Sequence, residues 1–135
     1  MSSLSYDNVL ALSPHTDDAE LGAGGTLSKL KRNGANITVF GFSAPRDVNR
    51  TEFKASTDVL GVDDIEIFDF ETRRFLSSRQ DLLQLLYDYD QEYNPDLVLT
   101  PSTNDLHQDH QVVTEEAMRA FKSSTIFGYE LPWNN

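Results

Sequence analysis

The sequence predicts an α/β domain built around a mostly parallel sheet of about five strands. Three observations carry that expectation. Short runs rich in Val, Ile and Phe alternate with longer segments of helical period, the pattern of βαβ units. No repeat, low-complexity tract or long linker interrupts the alternation. The chain has 135 residues, enough for one domain with its own core and no need of disulfides or structural metal.

The elements follow in order. Val9, Leu10, Ala11 and Leu12 make "NVLALSP" the first strand. "AELGAGGTLSKLKRNG" is a helix on which Leu21, Leu27 and Leu30 share a face, stopped by Asn33 and Gly34. "NITVFGFSA" is the second strand, "RTEFKASTDVLG" a helix ending at Gly61, and "DIEIFDF" the third strand. "SRQDLLQLLYDYDQEYN" is a helix closed by Asn94 and Pro95, with Leu82, Leu83, Leu85 and Leu86 directed to the core and Asp88, Asp90 and Glu92 to water. "DLVLTPS" forms the fourth strand, a helix runs from about His110 to Lys122, and "STIFGYELPW" is the fifth strand.

Composition narrows the chemistry. With no cysteine, the chain can hold metal only through His, Asp or Glu. A formal charge of -11 argues against binding a nucleic-acid backbone or an anionic membrane by charge alone. The opening "MSSLSYDNVLALS" has no basic start, and its apolar run is too short for a signal peptide or a membrane span, so the expectation is a cytoplasmic protein without an integral membrane segment.

Ligands of open parallel sheets collect where strands end and loops leave for helices. If the strands lie in the order 3-2-1-4-5, strands one and four are neighbours, and their ends lead into "HTDD" and "NDLHQDH". All three histidines of the chain then face one crevice. His15, Asp18 and His110 can form a two-histidine, one-carboxylate set, which suits Zn²⁺ and also Fe²⁺ or another divalent ion, with a position left for water. Asp17 points elsewhere on the turn and is the candidate general base. His107 can approach the same centre without ligating, as a proton donor or oxyanion stabiliser, and Asp109 can hold a histidine in the required tautomer. Helix capping explains the aspartate pair alone equally well. "GAGG" lacks dinucleotide spacing and follows Asp17, Asp18 and Glu20, so it reads as close helix packing rather than a phosphate loop.

These motifs resemble the LmbE-like, PIG-L-type family of metal-dependent N-acetylglucosaminyl deacetylases. Its strand-end PHPDD or AHxDD, E-x-G-x-x-G-T and HPDH stand here as "PHTDDAELGAGGT" and "HQDH". The resemblance runs from about Val9 to the C-terminus and implies a Rossmann-like three-layer αβα fold, zinc, and removal of an N-acetyl group from an amino sugar or sugar conjugate. It implies His15, Asp18 and His110 as metal ligands, Asp17 as base, and His107 assisting the tetrahedral intermediate with Asp109 behind it. Thr16 and Gln108 replace the commoner prolines.

The family's R-x-x-E is approximated by Arg50 and Glu52, one residue closer, and Arg73 matches an arginine beside the substrate cleft. Both arginines are candidate substrate contacts, and exposed salt bridging explains them as well. Family members usually continue past the fifth strand. Residues 1–135 therefore read as a single domain without the usual C-terminal part, which would expose Ile126, Phe127, Leu131 and Trp133 and favour association of copies.

Two readings of other classes stand beside the amidase. A receiver-like signalling module shares the length, the five-stranded rhythm, the acidic pair and Asp69 after strand three, but it should carry a lysine after strand five, where "YELPWNN" has none. A catalytically idle sugar- or metal-binding fragment is the other.

Overall fold

The computed structural model describes residues 5–134, so the first four residues of the opening segment lie outside the described part. The elements are β1 Asn8–His15, α1 Asp18–Arg32, β2 Asn36–Ser43, α2 Asp47–Val59, β3 Asp64–Ile67, α3 Arg79–Tyr93, β4 Leu97–Pro101, α4 Gln108–Ala120 and β5 Thr125–Tyr129, with 3₁₀ turns at Phe75–Ser78 and Pro132–Asn134. Every strand pairing is parallel and the order is β3-β2-β1-β4-β5. That order sets the receiver-like reading aside, since receivers are wound 2-1-3-4-5. No helix among the described residues is long and apolar enough to cross a membrane.

Burial on both faces explains the unbroken apolar strands. Successive side chains alternate across a strand. Val9 and Ala11 of β1 accordingly pack with Ala19, Ala23, Leu27 and Leu30 of α1 and Phe53 of α2. Leu10 and Leu12 pack on the other face with Leu82 and Leu86 of α3 and Val112, Val113 and Ala117 of α4. Asp96 fixes β4 against β1, because its carboxylate accepts the N–H groups of Asp7 and Asn8, each at 2.8 Å.

Several boundaries differ from expectation for local reasons. Helix α2 begins at Asp47 because the Asn49 side chain accepts the Arg46 N–H at 3.1 Å, closing the first turn early. Strand β3 stops at Ile67, although Phe68 and Phe70 still donate to carbonyls of β2. Strand β5 stops at Tyr129 and the chain turns at Pro132. Leu21 does not share the inward face of Leu27 and Leu30; it is 60% exposed, and Ala19 and Ala23 complete the buried stripe instead. Beside β5, Phe127 and Trp133 are exposed and Ile126 is half-buried, but Leu131 is packed inside.

The glycine run of α1 divides by position. A Cβ on Gly22 would stand 2.2 Å from the Tyr129 ring, whereas Gly24 has only Leu60 at 3.7 Å and Gly25 has nothing within 4 Å. Close packing therefore applies to Gly22 alone. Tyr129 cannot retreat, because its hydroxyl donates to the Leu12 carbonyl at 2.7 Å within the core. Gly22→Ala should cost about 1–3 kcal/mol by overpacking. Gly25→Ala should gain about 0.5–1 kcal/mol from helix propensity. Urea unfolding of the two variants tests the contrast, and equal effects would contradict this packing.

Candidate active site

Strands β1 and β4 are neighbours, so the turn after β1 and the loop after β4 meet. Their facing groups lie close together. The Asp18 carboxylate Oδ2 stands 3.1 Å from His110 Nε2 and 3.4 Å from His15 Nδ1. Ligand atoms of His15, His107 and His110 lie within 4.8 Å of one another, and the rings of His107 and His110 stack at 4.6 Å.

Local folding explains how each group is aimed. Helix α1 receives a hydrogen bond at its start from outside the aspartate pair, since the Ala19 N–H donates to the Ser13 hydroxyl at 3.0 Å. Asp17 makes no capping bond, and Asp18 accepts the His15 N–H at 2.8 Å. Neither aspartate is spent on capping the helix, which removes the bland explanation of the pair. Asp17 is left exposed at the mouth while Asp18 is buried.

At the other cluster, α4 begins at Gln108, earlier than expected, because His107 is its N-cap and its Nδ1 accepts the Asp109 N–H at 3.1 Å. His110 thereby falls in the first helical turn and is 1% exposed.

Two buried carboxylates set the imidazoles. Asp105 contacts His110 Nδ1 at 2.7 Å and accepts the His107 N–H at 2.9 Å. Asp109 lies with one oxygen 3.0 Å from His15 Nε2 and accepts the backbone N–H groups of Arg73 and Phe75 at 2.6 and 3.2 Å. The carboxylate expected behind His107 is therefore on His15; only the backbone of Asp109 reaches His107. Asp105 was not singled out from the sequence, although it lies in the same loop as the histidines. Its role depends on a span of five residues across a helix start, which periodicity does not display.

The charges are mutually supporting. Burial would raise the Asp18 carboxyl, but the imidazoles of His110 and His15 beside it outweigh that and hold Asp18 well below the usual carboxylate range. Burial works against a proton on His15 and on His110, yet their neighbouring carboxylates leave both raised. Burial, with His110 and His15 alongside, lowers His107 and favours its neutral form.

A divalent ion fits this donor set. His110 Nε2 is buried with no hydrogen-bond partner, an orphan that an ion would satisfy. Ligands around a tetrahedral zinc at 2.0–2.1 Å stand about 3.3 Å from one another, and the separations from Asp18 to His110 and His15 bracket that value at 3.1 and 3.4 Å. A carboxylate on the far nitrogen of each of these histidines is the usual arrangement for metal-binding imidazole.

Beside the histidines a cleft of about 460 Å³ opens between α1 and α2, and His15, Asp17, Glu20, Arg46, Asn49 and Glu52 are among its walls. Arg50 is not among them; it pairs with exposed Asp69 at 2.8 Å, a surface salt bridge. Asn49 stands three residues before Glu52 and does line the cleft, as does Arg46. Arg73 is exposed and has a left-handed backbone, φ 69°, in the loop whose N–H groups bind Asp109. Neither Arg46 nor Glu20 was singled out as a cleft residue from the sequence. Burial pushes Glu20 up to about 7, with Asp17 and Asp18 adding to the rise despite its bond from Ser56.

Comparison with known proteins shows which family the chain resembles as a whole. Residues 10–121 match the family described as PIG-L, GlcNAc-PI de-N-acetylase. The uncharacterized deacetylase YaiS of Escherichia coli (strain K12) is 29% identical over 136 residues, covering 92% of this chain and 74% of that protein. A triple mutant of the Orf2 deacetylase of teicoplanin biosynthesis superposes with TM-score 0.79 at 26% identity, over 93% of this chain and 65% of that one. The N,N'-diacetylchitobiose deacetylase of Pyrococcus horikoshii shares the fold, with TM-score 0.73 at 24% identity over 85% of this chain. The chain spans 49% of that structure's length, so it corresponds to part of these longer proteins.

If Asp105 fixes the tautomer of His110, Asp105→Asn should weaken zinc binding about 10- to 100-fold. Competition with a chromophoric chelator measures this, and unchanged affinity would show that Asp105 only holds the loop.

Proposed function

The chain belongs to the PIG-L, GlcNAc-PI de-N-acetylase, family, and from that premise we propose that it is a metal-dependent amidohydrolase removing an N-acetyl group from an amino sugar or sugar conjugate. The observation that carries the proposal is the orphaned, buried Nε2 of His110 facing the Asp18 carboxylate, with His15 against the same oxygen. His15, Asp18 and His110 would hold Zn²⁺, or Fe²⁺ in its place. When bound there, such an ion polarises the amide carbonyl and makes water a better nucleophile.

The remaining work falls to the chain. Asp17, exposed at the mouth and free of capping, takes the proton of the attacking water. The water oxygen bonds to the carbonyl carbon, the carbon–nitrogen bond breaks, and the proton passes to the leaving nitrogen. Acetate and a free amine result. His107, neutral and tethered through Nδ1, keeps Nε2 for the tetrahedral intermediate. Arg73, exposed and like Arg50 outside the cleft lining, and Arg50, paired with Asp69, are the candidate substrate contacts. Acetate release from N-acetylglucosamine derivatives by zinc-supplemented protein is the direct test, and its absence across free, nucleotide-linked and lipid-linked sugars would refute the proposal.

The two aspartates should separate cleanly. Asp18→Asn should strip or greatly weaken metal binding. Asp17→Asn should retain metal and lower kcat by about 10²–10⁴. Metal analysis beside turnover decides between them, and equal metal loss in both would end this division of roles.

The histidines divide similarly. His110→Ala should lose metal, whereas His107→Ala should keep about one ion per chain and lose kcat. Because His107 stands within ligand reach of the other two histidines, comparable metal loss in both variants would make it a ligand.

A further inference from the structure

Glu20 is the one acidic residue of the first turns of α1 to which the proposed reaction gives no task. It lies three residues after Asp17, so the two project from one side of the helix into the same cleft. One of its oxygens accepts the hydroxyl of Ser56, on α2 across the cleft, at 3.0 Å. The other, Oε1, is buried and has no hydrogen-bond partner. A buried carboxylate oxygen without a donor is costly, and native proteins keep few of them. The donor is therefore to be sought in what the cleft receives. The torsion at the end of a glutamate is broad, so a small rotation about the Ser56 bond brings Oε1 round to the cleft.

The lining narrows the chemistry of that donor. Arg46 is the only Lys or Arg among the described lining residues, against Asp17, Glu20 and Glu52. An anionic substituent beside Glu20 would be repelled, while a neutral hydroxyl would donate to a carboxylate in a charge-assisted bond. Building on the deacetylase reading, we propose that Glu20 selects substrate by accepting a sugar hydroxyl on a carbon next to the one bearing the N-acetyl group.

The probes are N-acetylglucosamine and its 1-deoxy and 3-deoxy analogues, with zinc-loaded protein, Glu20→Ala and Glu20→Gln. Acetate release and calorimetric binding of each sugar are both read at a pH well above about 7, the value to which burial pushes Glu20, so that its carboxylate is ionised, with metal content as a control. The parent sugar should be favoured about 10- to 100-fold over one of the deoxy analogues, the range of one hydrogen bond to a charged group. Glu20→Ala should abolish that preference by losing activity and affinity on the parent and on the analogue that keeps the recognised hydroxyl, with the other analogue and the metal content unaffected. An unaltered preference, or an equal loss on all three sugars, overturns the proposal. If the alanine variant does not fold, Glu20→Gln decides: it can still accept from Ser56 but has lost its charge, so its preference should shrink, and an undiminished preference overturns the proposal. If the unsubstituted protein releases no acetate, the deacetylase reading fails by itself. The binding preference then judges Glu20 separately, and equal or absent binding of the three sugars counts against it.

Discussion

The carboxylate of Asp109 is wholly withdrawn from water, and a charge so placed persists only if its surroundings supply partners. It finds them in two segments, the end of β1 through His15 and the loop after β3 through the N–H groups of Arg73 and Phe75, while its own backbone N–H ties α4 to His107. Removing any partner leaves a buried charge short of a bond. The positions of His15, of the 71–75 loop and of the start of α4 are thereby made interdependent, and the left-handed backbone of Arg73 is one local cost of that closure.

Beneath this closure lies the order of the sheet. Adjacent β1 and β4 turn a separation of more than ninety residues into contacts near 3 Å. Asp96 gives the pairing its register at the opposite end by accepting the first N–H groups of β1. Two carboxylates at opposite ends of the same strand pair thus perform complementary work, one aligning the strands and the other organising what they deliver.

Much of this was legible in the residues. Alternating apolar and helical segments announce the strands and helices, and the rule that ligands gather at strand ends brings "HTDD" and "HQDH" together once the order is 3-2-1-4-5. What escaped depends on rotation and burial. Leu21 is apolar at a plausible helical interval yet faces out, because the small Ala19 and Ala23 let α1 lie close to the sheet with a different face inward. Arg50 satisfies a motif loosely, and its pairing with Asp69, just past the end of the third strand, is a contact that the sequence does not display. Ser13 accepts the Ala19 N–H in the first turn of α1 from six residues before it, a bond that no short-range capping pattern reveals.

The outer strand β5 carries a further consequence. It closes the sheet on one side and has a neighbour only in β4 among the described residues, so the other side of its backbone has no strand to pair with. "TIFGY" contains neither lysine nor proline, and Phe127 is exposed beside it. A net charge of -11 opposes the joining of such edges, because it makes copies repel. That repulsion reaches only about 8 Å at physiological ionic strength and about 3 Å in molar salt. Added salt therefore weakens the electrostatic barrier between two such edges.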